Sequence, residues 1–148
     1  MMDLNKIKSQ LMYDEGVKLY VYADSEGIST CGIGHEVLPS DNLHMGDVIT
    51  QQSCDNFFSQ DLQNAIDSCV RAQYIPYINQ PEMVQESLVN LVFNMGAAEL
   101  KSFITFLTFL YNRRYADAAN DLLNTKWATQ VGARAQRIAN AIASCQGQ

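Results

Sequence analysis

The sequence predicts an α+β protein that is predominantly helical, with a small antiparallel β-hairpin lobe and a helical lobe. Three observations carry that reading. Between residues 18 and 33 the chain is rich in β-branched and aromatic types and is broken by one turn, Ser25-Glu26-Gly27. From Thr50 onward apolar residues recur at helical spacing. The 148 residues, 47% hydrophobic and 18% charged, suit one globular domain with a sizeable core.

The elements follow in order. Leu4, Ile7, Leu11 and Met12 mark an amphipathic helix over residues 3–14, with Asp3 as N-cap and Gly16 just past its end. Lys18 to Asp24 reads as a strand, and Ile28 to Ile33 as its return after the turn. Leu38 to Val48, with Pro39, Asn42 and Gly46, reads as loop. Thr50 caps a long helix through Arg71 that should bury Phe57, Phe58, Leu62, Ile66 and Val70. Pro81 suits the first turn of a helix over 82–95 that ends at Gly96. Its apolar residues (Met83, Val84, Leu88, Leu91, Val92, Met95) cover so much of its circumference that it should be the central buried helix. Further helices are expected over 101–112, 115–125 and 132–145. The whole is one domain over 1–148: a β-containing lobe roughly at 16–50, a connecting helix roughly at 51–71, and a helical lobe roughly at 81–146 joined by helix 3–14.

The formal charge of −6 hides an asymmetry. Residues 101–148 carry six Lys/Arg against two Asp/Glu, while the rest is acidic. A basic face of that kind can meet an anionic polymer even on an acidic protein. No dense Lys/Arg cluster or basic aromatic motif points to nucleic acid. No apolar run approaches the roughly 20 residues that span a bilayer, and the N-terminus lacks the apolar core of a signal peptide. Cys31, Cys54, Cys69 and Cys145 form no CxxC pair and no zinc spacing, so reduced, packed thiols are expected and no metal is.

The segment Glu15 to His35 concentrates the chemistry. It holds Glu15, Asp24, Thr30 and a Gly32-Ile33-Gly34-His35 turn. Cleaving a glycosidic bond takes two carboxyl groups, one to protonate the leaving oxygen and one to direct the nucleophile. Glu15 in the last turn of a helix opposes the macrodipole, a placement that favours function over a bland surface role. Asp24 and Thr30 each have an ordinary alternative, a turn aspartate and a β-branched strand residue. His35-Glu36 begins like a zinc-protease helix, but the second histidine is missing. The two glycines do not have phosphate-loop spacing and read as tight backbone turning.

These residues resemble the phage-type lysozymes of glycoside hydrolase family 24. The match runs through Glu15-Gly16, Tyr22-x-Asp24, Glu26-Gly27 and Thr30-x-Gly32-Ile33-Gly34-His35. It continues through Thr50, Gln60-Asp61, Phe93-Asn94-Met95-Gly96 and Trp127 with Arg134. The chain departs from the pattern in a short loop between His35 and Thr50, in Asn94 and Cys31, and in its acidic charge. The resemblance implies a lysozyme-like fold and a catalytic triad of Glu15 as general acid with Asp24 and Thr30 positioning water, in an inverting course. It implies cleft-rim roles for Glu26, Asn94, Asp121 and Lys126, with Glu26 and Lys126 facing each other. It implies structural roles for Gly32, Gly34, His35, Asp61 and Arg134, His35 pairing with Asp61 and Arg134 approaching Glu15. Trp127 reads as a core anchor rather than a sugar platform.

The function so implied is a muramidase that cleaves the β-1,4 bond between N-acetylmuramic acid and N-acetylglucosamine in peptidoglycan. It would work as a monomeric phage endolysin, without cofactor, metal, nucleic acid or stable membrane association. It would be made in the host cytoplasm and reach the wall through a holin. The alternatives are an inactive lysozyme-fold wall-binding or scaffolding protein, the same chemistry in a toxin or phage tail, and a chitinase-like preference.

Overall fold

The computed structural model describes residues 2–147. The order is α1 (Leu4–Glu15), β1 (Lys18–Ala23), β2 (Ser29–Gly32), β3 (His35–Glu36), α2 (Gln51–Arg71), α3 (Glu82–Met95), α4 (Ala97–Leu100), α5 (Ile104–Tyr111), α6 (Tyr115–Leu123), α7 (Lys126–Val131) and α8 (Ala133–Ala143). The α+β class and helical predominance expected from the sequence are what the chain adopts. The backbone divides into two compact units, one spanning Leu4–Asn64 and one running from Ala65 onward with the residues ahead of Leu4. Helix α1 falls in the unit that holds the sheet.

In the first unit, α1 ends where Gly16 takes φ +71° and donates its N–H to Met12 O. Ile7 and Leu11 are fully buried, but Leu4 and Met12 stay about half exposed, so the buried stripe is narrower than expected. The sheet has three antiparallel strands in the order β1-β2-β3, one more than the expected hairpin. Tyr22 lies opposite Thr30, Thr30 opposite Glu36, and Cys31 opposite His35. Gly32 and Gly34, at φ +60° and +62°, turn the chain into β3, whose two residues are too few to show alternation. The segment read as loop over 38–48 is also partly ordered. Pro39–Asp41 form a 3-10 turn, and residues 46–49 pair along the outer edge of β1 through Gly46, Asp47 and Ile49.

Thr50 caps α2 by accepting the Ser53 N–H at 3.0 Å. The buried stripe of this helix is Cys54, Phe58, Leu62, Ala65 and Cys69. Phe57 and Ile66 lie to its side, and Val70 is 51% exposed, contrary to the expected core. Steps of 100° per residue explain the difference: Val70 falls far around the helix from Cys54 and Phe58.

In the second unit α3 matches its expected bounds and ends at Gly96, whose N–H donates to Val92 O. Residues 86–92 are all buried, including the polar Glu86, Ser87 and Asn90. Helix α8 packs on α3, α6 and α7, and α5 packs on α6. The helices expected over 101–112, 115–125 and 132–145 form as the shorter α5, α6 and α8. Two short helices that periodicity does not reveal also stand here, α4 between α3 and α5 and α7 between α6 and α8. The second is capped by Thr125, whose hydroxyl accepts the Ala128 N–H.

Candidate active site

Glu15 is the last residue of α1 and is partly buried. Its carboxyl lies against the bare α-carbon of Gly34. A Cβ built at Gly34 would stand 2.6 Å from Oε2, 2.8 Å from Cδ and 3.0 Å from Cγ. The Gly-Ile-Gly turn therefore supports the carboxylate as well as reversing the chain. Tyr22 is half-buried on β1. Burial pushes its phenol above the usual range, and the nearby charges of Glu15 and then Asp24 push it further the same way. Tyr22 thus feels both carboxylates, a role the sequence reading left unassigned.

Asp24 follows β1 at the turn. Its Oδ1 accepts the backbone N–H of Glu26 and of Ile28, each at 2.9 Å. The Asp24 N–H in turn donates to Ile28 O, and Gly27 N–H donates to Asp24 O. This local bonding fixes the side chain, and among the described residues Oδ2 has no hydrogen-bond partner. Thr30 is buried on β2 and donates its hydroxyl proton to Ile28 O at 2.9 Å. With that proton committed, Oγ1 can only accept from a further partner. Both side chains are tied to the same residue, Ile28, one through its N–H and one through its carbonyl. Glu26 stands exposed in the turn itself.

His35 is 5% exposed and bridged on both ring nitrogens. Nδ1–H donates to Asp61 Oδ2 at 2.7 Å, and Nε2–H donates to Asp41 Oδ2 at 2.8 Å. The ring stacks on Phe57 with centroids 4.0 Å apart and planes 4° from parallel. Burial is the largest influence on its pKa and works against the charge, yet the hydrogen bonds and attraction of Asp61 and Asp41 outweigh it and hold the imidazole above its ordinary value. Asp41 is held low, burial opposing but the Leu38 N–H and His35 prevailing. With a carboxylate on each ring nitrogen, His35 is a fastener between β3, the 3-10 turn and α2. Asp41 was not singled out from the sequence, because its loop showed only turn-forming residues.

The other expected residues lie in the second unit. The Trp127 indole N–H donates to Asn94 Oδ1 at 2.7 Å, and the ring is 5% exposed, so Trp127 is a core anchor. Arg134 is buried, and its Nε and Nη2 both donate to Asn90 Oδ1, at 2.9 and 2.7 Å. Asn90 was missed because a single polar residue in an apolar helix gives no periodic signal. Asp121 is partly exposed on α6, and Lys126 is exposed at the start of α7. Among the described residues, no group of His, Cys, Asp and Glu is arranged to hold a metal ion, and no helix is long and apolar enough to cross a membrane.

A predominantly helical chain whose small sheet brings Tyr22 within electrostatic reach of both Glu15 and Asp24, opposite Thr30, offers the two carboxyl groups that the class of glycoside hydrolases calls for. Comparison with known proteins narrows the class. A family model described as phage lysozyme matches residues 13–141. A probable T4-type lysozyme of Dictyostelium discoideum is 29% identical, the match covering 91% of this chain and 92% of the relative. The endolysin of Salmonella phage P22 is 33% identical over 81% of this chain and 80% of its own length. The peptidoglycan hydrolase gp36 of Pseudomonas phage phiKMV is 27% identical over 90% of this chain but only 15% of its own length. The chain belongs to the phage lysozyme family, and it is a glycoside hydrolase.

Proposed function

We propose that this lysozyme is a muramidase acting on the β-1,4 bond between N-acetylmuramic acid and N-acetylglucosamine, with Glu15 as acid and Asp24 and Thr30 as the pair that aims water. The observation that carries this reading is the shared anchoring on Ile28. Asp24 Oδ2 and Thr30 Oγ1 remain as two acceptors held by one residue. A water that donates one proton to each has its lone pairs turned outward, ready to attack the anomeric carbon. Glu15 protonates the departing sugar oxygen as the bond breaks, and Asp24 takes the proton that the water sheds. Attack by water on the face opposite the leaving group inverts the configuration.

Turnover of purified peptidoglycan tests the roles. Glu15→Gln, which keeps the shape and removes the proton, is expected to lose ~10³-fold or more in rate, because no general acid remains. The wild-type product, followed by NMR as it forms, should appear first as the α-anomer. A β-anomer product would replace the water-aiming reading with a covalent one.

The endolysin of Salmonella phage P22 among the relatives supports a reading of the biological setting. We infer an endolysin that acts as a monomer on the host wall, is made in the host cytoplasm and reaches its substrate through a holin. Expression in a bacterial cytoplasm with and without a holin checks the last point. Lysis that needs the holin supports it, and lysis without one overturns it.

A further inference from the structure

Thr30 and Tyr22 lie on a sheet face that continues outward past the catalytic residues. Lys18, Tyr20 and Tyr22 project together on it. Tyr20 and Tyr22 meet edge-to-face with centroids 6.0 Å apart and planes at 61°, and Lys18 Nζ lies 4.1 Å from the Tyr22 ring centroid. Tyr20 then pairs across the outer edge of β1 with Val48. The row from Thr30 therefore runs through Tyr22 to Tyr20 and Val48. Tyr22 has one face taken by the ammonium, whereas Tyr20 is 46% exposed and Val48 is 80% exposed.

We propose that Tyr20, seated against Tyr22 and Val48, is a sugar-stacking platform that holds a pyranose ring of the glycan strand beyond the bond being cut. The proposal rests on the muramidase reading and names a specificity-determining residue for it. Three features favour a sugar over other parts of the wall. The platform is continuous with the face that carries Thr30, so a strand cleaved there has its next rings within reach. A pyranose presents an apolar C–H face with a polar rim, the complement of an exposed tyrosine with an apolar neighbour and a free edge. The surrounding unit, Leu4–Asn64, carries three Lys/Arg against nine Asp/Glu, which disfavours the carboxylates of the stem peptide. The bracing by Tyr22 limits the ring's motion before binding, so less entropy is lost when a sugar settles on it.

Steady-state kinetics on peptidoglycan glycan strands of defined length provide the test. The variants are Tyr20→Thr, which keeps strand propensity and removes the ring, Tyr20→Phe, which keeps the ring, and Tyr111→Ala, which removes an exposed tyrosine from α5 as a control. All are first checked for fold by circular dichroism and melting. On long strands Tyr20→Thr should raise KM by roughly 3- to 10-fold with kcat held within about twofold. Tyr20→Phe and Tyr111→Ala should match wild type. On the shortest cleavable oligomer, which leaves the platform empty, Tyr20→Thr should also match wild type. An unchanged KM for Tyr20→Thr on long strands overturns the platform while leaving the muramidase assignment standing. Tyr20→Phe behaving like Tyr20→Thr overturns ring stacking in favour of a hydroxyl contact. Failure of the wild type to cut any strand overturns the underlying reading instead.

Discussion

At Gly34 a single methyl group decides where Glu15 sits. Alanine there would place Cβ 2.6 Å from the Glu15 carboxylate and hold an L-residue at φ +62°. The left-handed conformation costs about 1–2 kcal/mol, which the fold can bear. The carboxylate can swing aside cheaply, but a displaced acid is catalytically expensive. Gly34→Ala is expected to stay folded and lose ~10²-fold in turnover, read by melting and by peptidoglycan clearing side by side. His35 makes the opposite kind of prediction, about stability. Its folded pKa is raised, so its contribution is full below the unfolded value of about 6.5 and is lost as pH rises through the folded value. Asp41 is lowered, so its contribution is present above about 3.8 and is lost as pH falls through its folded value. The clamp is therefore strongest between those two pH values. His35→Asn should cost about 2–3 kcal/mol at pH 6 and clearly less at pH 9, measured by denaturant unfolding. An equal cost at both pH values would rule out the charged clamp.

At the level of elements, capping and phase decide what was readable. Helix α3 was legible to the residue because Pro81 and Gly96 punctuate it and its apolar positions are dense. Helix α2 was legible in extent through Thr50, yet its buried face was misjudged. Cys54, Ala65 and Cys69 are small, and their weak apolar signal was outweighed by Ile66 and Val70. Strand β3 and helices α4 and α7, at two, four and six residues, are too short for any periodicity to register. They form because neighbouring segments pair or pack with them. Thr50→Ala removes the acceptor for the Ser53 N–H and should cost about 1 kcal/mol, seen as a lower melting temperature with turnover per folded molecule unchanged. A drop in turnover at unchanged stability would show that Thr50 does more than start the helix.

For the molecule as a whole, the four thiols report on packing. Cys31, Cys54, Cys69 and Cys145 are all free and buried. Burial alone pushes the Cys69 thiol from 9.0 up to about 12, so its thiolate fraction at pH 8 falls ~10³-fold. Native protein should resist iodoacetamide at pH 8 and take four labels after unfolding in guanidinium, counted by mass spectrometry; reductant should leave activity unchanged. Rapid labelling of Cys69 in the native state would mean that the core opens readily. The site was legible for a related reason. Glu15, Asp24 and Thr30 stand out as candidates because their intervals match the pattern of the phage lysozyme family. Asp41 and Phe57, which hold His35, and Asn90, which holds Arg134, are chosen by three-dimensional fit and carry no interval of their own.

The hairpin from Asp24 to Thr30 has one further consequence. Because both side chains hang from Ile28, their separation along the chain works as a gauge length, and the turn is a machined part whose dimensions matter more than its composition. Ser25 can be exchanged with little effect, since none of the bonds that set the gauge uses its side chain. One extra residue between Asp24 and Ile28 would break the Asp24 hydrogen bonds and offset β2 against β1, where a slip of one residue turns every side chain to the other face. Thr30 would then point away from Asp24 with no catalytic residue altered.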